Sequence, residues 1–149
     1  MLIFSQIIEG EHEVISSVTL TYDQRVKSRL KVELDNGEPA GLSLLRGSIL
    51  NHGNKIVAET GEIVIVKAAN EKVSTVFVTD PLLMARACYH LGNRHVALQI
   101  DKGFIRYRHD HVLDEMVAGL GLGVICEKAP FEPEAGAYKN ISGHSHHEH

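Results

Sequence analysis

The apolar residues of this chain change their period once along its 149 residues, and that change limits what it can fold into. Up to about residue 69 they recur at every second position or in short β-branched runs. Leu30, Val32 and Leu34 alternate with Lys31 and Glu33, which marks a strand with one buried face. Val18-Thr19-Leu20-Thr21-Tyr22 alternates in the same way, and Leu2-Ile3-Phe4 with Ile7-Ile8 opens the chain. Asp35-Asn36-Gly37 supplies residues that tolerate positive φ, a hairpin signal. Leu42, Leu44 and Leu45 follow; then, beyond a Gly/Asn-rich loop at 51–54, Ile56-Val57-Ala58 and Ile63-Val64-Ile65-Val66 read as two more strands. Short strands divided by turns predict an all-β small barrel or sandwich over 1–69. No catalytic pairing shows in this part.

Residues 67–72, Lys-Ala-Ala-Asn-Glu-Lys, mark a boundary, and helical stripes appear beyond it. Val73 to Val78 reads as a strand. Asp80-Pro81 then starts a helix, since Asp caps helices and Pro is tolerated in the first turn. Met84, Ala87, Cys88 and Leu91 form one apolar stripe at helical spacing, and Gly92 ends it. Val96 to Ile100 reads as a strand, Asp101-Lys102-Gly103 as a turn, and Phe104 to Tyr107 as the returning strand. A second helix carries Val112, Leu113, Met116, Val117 and Leu120, and Val124-Ile125-Cys126 closes the series. The order β-α-β-β-α-β predicts a ferredoxin-like domain over 70–135. The fold class is therefore α+β with two domains, followed by a flexible histidine-rich tail at 136–149.

Composition narrows the function. A chain that is 44% hydrophobic has enough apolar residues for a real core. The formal net charge of -4, the 5% aromatic content and the lack of a long basic run argue against nucleic acid as a partner. The first residues, MLIFSQIIEGEHE, carry no basic segment and no small-residue cleavage site, and read as a strand. No apolar run approaches the length of a membrane helix, so a soluble cytoplasmic protein is expected. The two cysteines, Cys88 and Cys126, lack zinc-site spacing and read as core residues.

Histidine is the compositional outlier, with ten residues. His12 and His52 stand apart and read as exposed or turn residues. The others fall in three stretches: Tyr89-His90-Leu91-Gly92-Asn93-Arg94-His95, then His109-Asp110-His111, then the final His144-Ser145-His146-His147-Glu148-His149. His90 suits the last turn of its helix through the macrodipole. His95 follows the turn as a core residue or as a ligand. A single imidazole holds a metal weakly, but a two-fold dimer would bring one His95 from each copy to the axis. His109 and His111 face one side if the chain is extended there, and diverge by roughly 200° if it is helical. Asp110 between them suits a helix N-cap. Ser145 and Glu148 interrupt the tail, unlike the unbroken run of a cloning tag. Imidazole without neighbouring thiolate suits nickel, copper or zinc. Sparse exposed imidazoles make a site that loads and releases, which fits a carrier better than an enzyme.

Tyr89 to His95, the Val96-Ala97-Leu98-Gln99 that follows, and Arg108-His109-Asp110-His111-Val112-Leu113-Asp114-Glu115-Met116 together resemble the UreE family of urease accessory proteins. The two-part organisation and the histidine-bearing tail agree, so the resemblance spans nearly the whole chain. It implies a homodimeric nickel metallochaperone, not an enzyme, that passes nickel to the urease apoprotein in company with accessory proteins including a GTPase. It also implies that the first half resembles a peptide-binding domain and that the second half binds metal and dimerises. By position, His95 matches the nickel ligand at the dimer interface, and His109 and His111 match more peripheral ligands open to copper or zinc. The tail histidines His144, His146, His147 and His149 match a variable metal-gathering end, short here. Two other readings start from the same residues. A small metallohydrolase would use His95, His109 and His111 as ligands and Asp110 or Asp114 as base. A plain peptide-binding module would rest on the β-rich half.

Overall fold

The computed structural model describes residues 1–136. They fall into two compact units, Met1–Asn70 and the residues from Glu71 onward. The tail histidines lie outside the described residues.

The first unit is built from β1 (Leu2–Ile8), β2 (Ser16–Leu20), a one-turn helix α1 (Tyr22–Arg25), β3 (Arg29–Glu33), β4 (Pro39–Ser43), β5 (Lys55–Ala58) and β6 (Ile63–Ala68). The six strands make one sheet in the order β2-β6-β5-β1-β4-β3. Parallel pairs β1/β4 and β2/β6 are mixed with antiparallel pairs β1/β5, β5/β6 and β3/β4. The sheet curls towards closure. Just past β3, the Asp35 N–H donates to the Ser17 carbonyl of β2 (2.8 Å), and the Asp35 carboxylate accepts from Thr19 (2.8 Å) and from Ser17. Two edges that would otherwise stay open are thereby tied together, which removes much of the aggregation hazard of a free strand. The result is a near-barrel. Phe4, Val18, Ala40, Leu50, Ile56, Val64 and Val66 fill it with no exposed surface, each large side chain contributing roughly 1.5–3 kcal/mol on burial. Val18 to Tyr22 is not one strand, however. Thr21 caps a helical turn through a reciprocal bond with Gln24, and that turn sends Arg25 into the core. There the guanidinium donates to the carbonyls of Leu50 (3.0 Å) and Leu20 (2.9 Å), which offsets the cost of burying a cation.

The second unit contains β7 (Asn70–Phe77, all but its first residue), α2 (Pro81–Gly92), β8 (Gln99–Asp101), β9 (Phe104–Arg108), α3 (His111–Gly119) and β10 (Ile125–Pro130). Its sheet order is β10-β7-β9-β8, the ferredoxin-like arrangement. Asp80 accepts from the N–H groups of Leu82 and Leu83 to start α2. Ala87 and Leu91 are the fully buried members of its stripe, packed with Val76, Ile105, Tyr107, Leu113 and Val117. Strand alternation sorts the central pair β7/β9 onto two faces. Val76, Ile105 and Tyr107 join the cluster that includes the helix residues, while Thr75 accepts a hydrogen bond from its cross-strand neighbour Arg106.

Two expectations are corrected in this unit, one about where a strand starts and one about the cysteines. Val96 to Leu98 do not belong to the strand, which begins at Gln99, because the Leu98 carbonyl is taken by the N–H of Glu134 (2.8 Å). The segment past Pro130 is irregular, and it is anchored, since Phe131 is fully buried and the Glu132 N–H donates to the Gln99 side chain. Of the two cysteines read as core, Cys88 is only half-buried and Cys126 is exposed. Cys126 sits on β10, an edge strand of the sheet, with its Sγ 3.6 Å from His109 Nδ1.

Candidate metal centre

The turn after α2 decides how His95 is presented. Asn93 caps the helix, the Arg94 N–H bonds the Leu91 carbonyl, and the His95 N–H bonds the Gly92 carbonyl (3.0 Å). Helices often end on a residue in the left-handed region, usually glycine. Here Gly92 keeps an ordinary φ, and His95 takes the positive value of 56°. It is the one non-glycine with positive φ among the described residues. Histidine adopts this conformation more readily than most side chains, at some cost. The consequence is an exposed imidazole with no hydrogen-bond partner among the described residues.

His109 is held in the opposite manner. It follows β9, where its N–H bonds the Lys72 carbonyl (3.1 Å). Its Nδ1 lies 3.2 Å from Ser74 Oγ, 3.2 Å from Asp114 Oδ2 and 3.6 Å from Cys126 Sγ. Ser74 and Tyr107 are directly opposite each other on β7 and β9. Both hydroxyls donate to Asp114 Oδ1, each at 2.7 Å. Burial, reinforced by the bond to the Asp114 carboxylate, raises the Tyr107 hydroxyl above its ordinary range, so it stays a donor.

His111 opens α3 and points elsewhere: its Nε2 lies 2.9 Å from Glu115 one helical turn on, both side chains well exposed. The junction between strand and helix therefore separates His109 from His111. Asp110 is the N-cap of α3, accepting from the N–H groups of Val112 (2.9 Å) and Leu113 (3.1 Å). His90 is half-buried with its ring edge-on to Tyr89. His12 bonds the Glu9 carbonyl, and His52 accepts from the Ala68 N–H.

What the fold brings together is His95 and His109. Both line one cleft of about 330 Å³ with Val96, Tyr107, Arg108 and Asp110, and His111 is not part of its wall. Among the described residues no three His, Cys, Asp or Glu side chains converge to enclose an ion. Two imidazoles on one cleft would by themselves leave the coordination shell of an ion incomplete.

A family profile described as UreE urease accessory protein, N-terminal domain, matches residues 4–69, and the corresponding C-terminal domain profile matches residues 71–149. The chain belongs to the UreE family. A urease accessory protein UreE of Vibrio parahaemolyticus is 56% identical, with both chains covered in full. One from Tolumonas auensis is 59% identical over 87% of this chain and 70% of its own length. One from Proteus mirabilis is 50% identical over 91% of this chain and 89% of its own. These UreE relatives are named as accessory proteins, not as enzymes. The hydrolase reading also loses its base in this UreE chain, since Asp110 is committed to capping α3 and Asp114 to His109, Ser74 and Tyr107. Residue by residue, inspection of the sequence missed Ser74, Tyr107 and the anchoring Phe131. The available signal was a polar Ser-Thr pair inside an otherwise valine-rich strand, where a buried hydroxyl must find a partner.

Proposed function

We propose that this UreE-family chain is a nickel metallochaperone that serves urease maturation as a cytoplasmic homodimer. One observation carries the reading: two histidines from different sequence stretches, His95 and His109, share a cleft and fall short of a closed site. A half-built shell suits cargo that must leave again, whereas a structural metal sits in a closed shell of protein ligands. The cargo ion would be held by His95, doubled across a two-fold axis, with His144, His146, His147 or His149 completing or feeding the site. His109 would be a second station on the same cleft, with His111 an outlying ligand, both open to copper or zinc as well. Selection for nickel over copper at such ligands must come from geometry and from partners, because copper binds imidazole more strongly. The urease apoprotein and accessory proteins including the GTPase are the proposed recipients and partners.

The near-barrel unit is proposed to bind peptide. Leu45 is 83% exposed there and lines two grooves, one with Ser5, Gln6 and Ile7 and one with Lys27, Arg29 and Arg46. The metal reading is tested by calorimetric nickel titration of the full chain. His95→Ala should lower the nickel bound per dimer and weaken what remains, while unchanged stoichiometry and affinity would refute the shared site. Light scattering at the same concentrations gives the oligomeric state.

A further inference from the structure

We propose that Asp114 is a positioning residue: with Ser74 and Tyr107 it locks His109 in the tautomer protonated at Nδ1, so that Nε2 alone is free to ligate. The inference rests on His109 being a metal ligand, and it follows from counting protons around the ring. Tyr107 has one hydroxyl proton and donates it to Asp114 Oδ1. Ser74 has one and donates it to the same oxygen. The Ser74 oxygen that lies 3.2 Å from His109 Nδ1 can then only accept. Asp114 Oδ2, also 3.2 Å away, is likewise an acceptor. A lone pair on Nδ1 would face two others, so the proton must reside on Nδ1. Cys126 Sγ, at 3.6 Å, is a weak partner in either role and does not alter the count.

The arrangement is rigid because Ser74 and Tyr107 are a fully buried cross-strand pair, and Asp114 reaches them from α3. It fixes the plane of the ring and leaves Nε2 as its one free lone pair. A carboxylate accepting from the far side of an imidazole also strengthens the ring as a ligand, and losing such a partner commonly weakens metal binding roughly 10–100-fold.

Asp114→Asn gives a sharp test. Asn Oδ1 would keep both hydroxyl donors, which places the amide nitrogen where Oδ2 was. That nitrogen donates, so it demands the opposite tautomer and puts the proton on the metal-binding atom. The metal-free full chain, labelled with nitrogen-15, is examined by NMR, and the His109 ring signals are assigned by their loss in His109→Gln. The expected result is the Nδ1–H form in the wild type and the Nε2–H form in Asp114→Asn. Copper(II) titration should then show the step that disappears in His109→Ala weakened by roughly 10–100-fold in Asp114→Asn. An Nε2–H wild-type ring, or a tautomer and affinity unchanged in Asp114→Asn, overturns the inference. The wild-type tautomer is read without Asp114→Asn, so a failure of that variant to fold leaves the inference open to refutation. If His109→Ala leaves the copper titration intact, His109 is not a ligand, and it is the functional reading that fails, whatever the tautomer.

Discussion

The turn after α2 and the junction between β9 and α3 both present a histidine to one cleft, and they do so by opposite means. His95 stands on a left-handed backbone position with a ring that no described residue holds. His109 is wedged by Ser74 and Asp114, and Asp114 in turn by Tyr107. An unheld ring on an exposed turn loses little by moving to meet a partner. A ring fixed on one nitrogen offers the other in a single direction and gives up less side-chain entropy on binding. One cleft therefore combines an adaptable imidazole with a preorganised one, a division that would suit the proposed passage of an ion.

Substitution at His95 should break this contrast most severely. His95→Gly removes the ring yet suits the positive φ better than histidine. Nickel binding should therefore fall as in His95→Ala, while stability stays equal or rises by up to about 1 kcal/mol, since glycine reaches this region without a steric penalty. Denaturant unfolding beside the nickel titration checks both halves. A loss of stability in the glycine variant would mean that the ring itself supports the turn.

A smaller effect is expected from Asp110→Ala. It deletes the cap that starts α3 and should cost about 1 kcal/mol of stability. Because α3 carries Asp114, amide exchange in its first turn should quicken, and the His109 ring should lose definition in NMR spectra. Stability loss without change at His109 would show that the sheet alone holds that ring. The smallest effect belongs to His111→Ala. Its exposed contact with Glu115 should be worth less than about 0.5 kcal/mol, and nickel stoichiometry should change far less than in His95→Ala. An equal loss of nickel would join His111 to the cleft from which its side chain now points away.

Much of the frame could be read from local pattern. The alternation around Leu30, Val32 and Leu34 is a strand, although Leu34 lies just past its end. Asp80 and Asp110 both cap helices, as their places before apolar stripes imply. Other features resisted, each for a physical reason. Arg25 goes into the core because a single helical turn redirects the chain, and a four-residue helix leaves almost no periodic trace. Cys126 is exposed on the edge strand β10, and the short apolar run Val124-Ile125-Cys126 does not show which of its side chains will be covered.

The candidate site divides along the same line. Residue type and spacing were enough to single out His95, His109 and His111, because imidazole is the ligand for borderline metals wherever it occurs. That His109 turns inward while His111 turns to solvent depends on where β9 stops and α3 begins. The pairing of Ser74 with Tyr107 depends on strand register, and their meeting with Asp114 depends on how α3 packs. Those are contacts across as many as forty residues of chain, and only the folded sheet and helices can specify them, because alternation and capping record each residue's near neighbours alone.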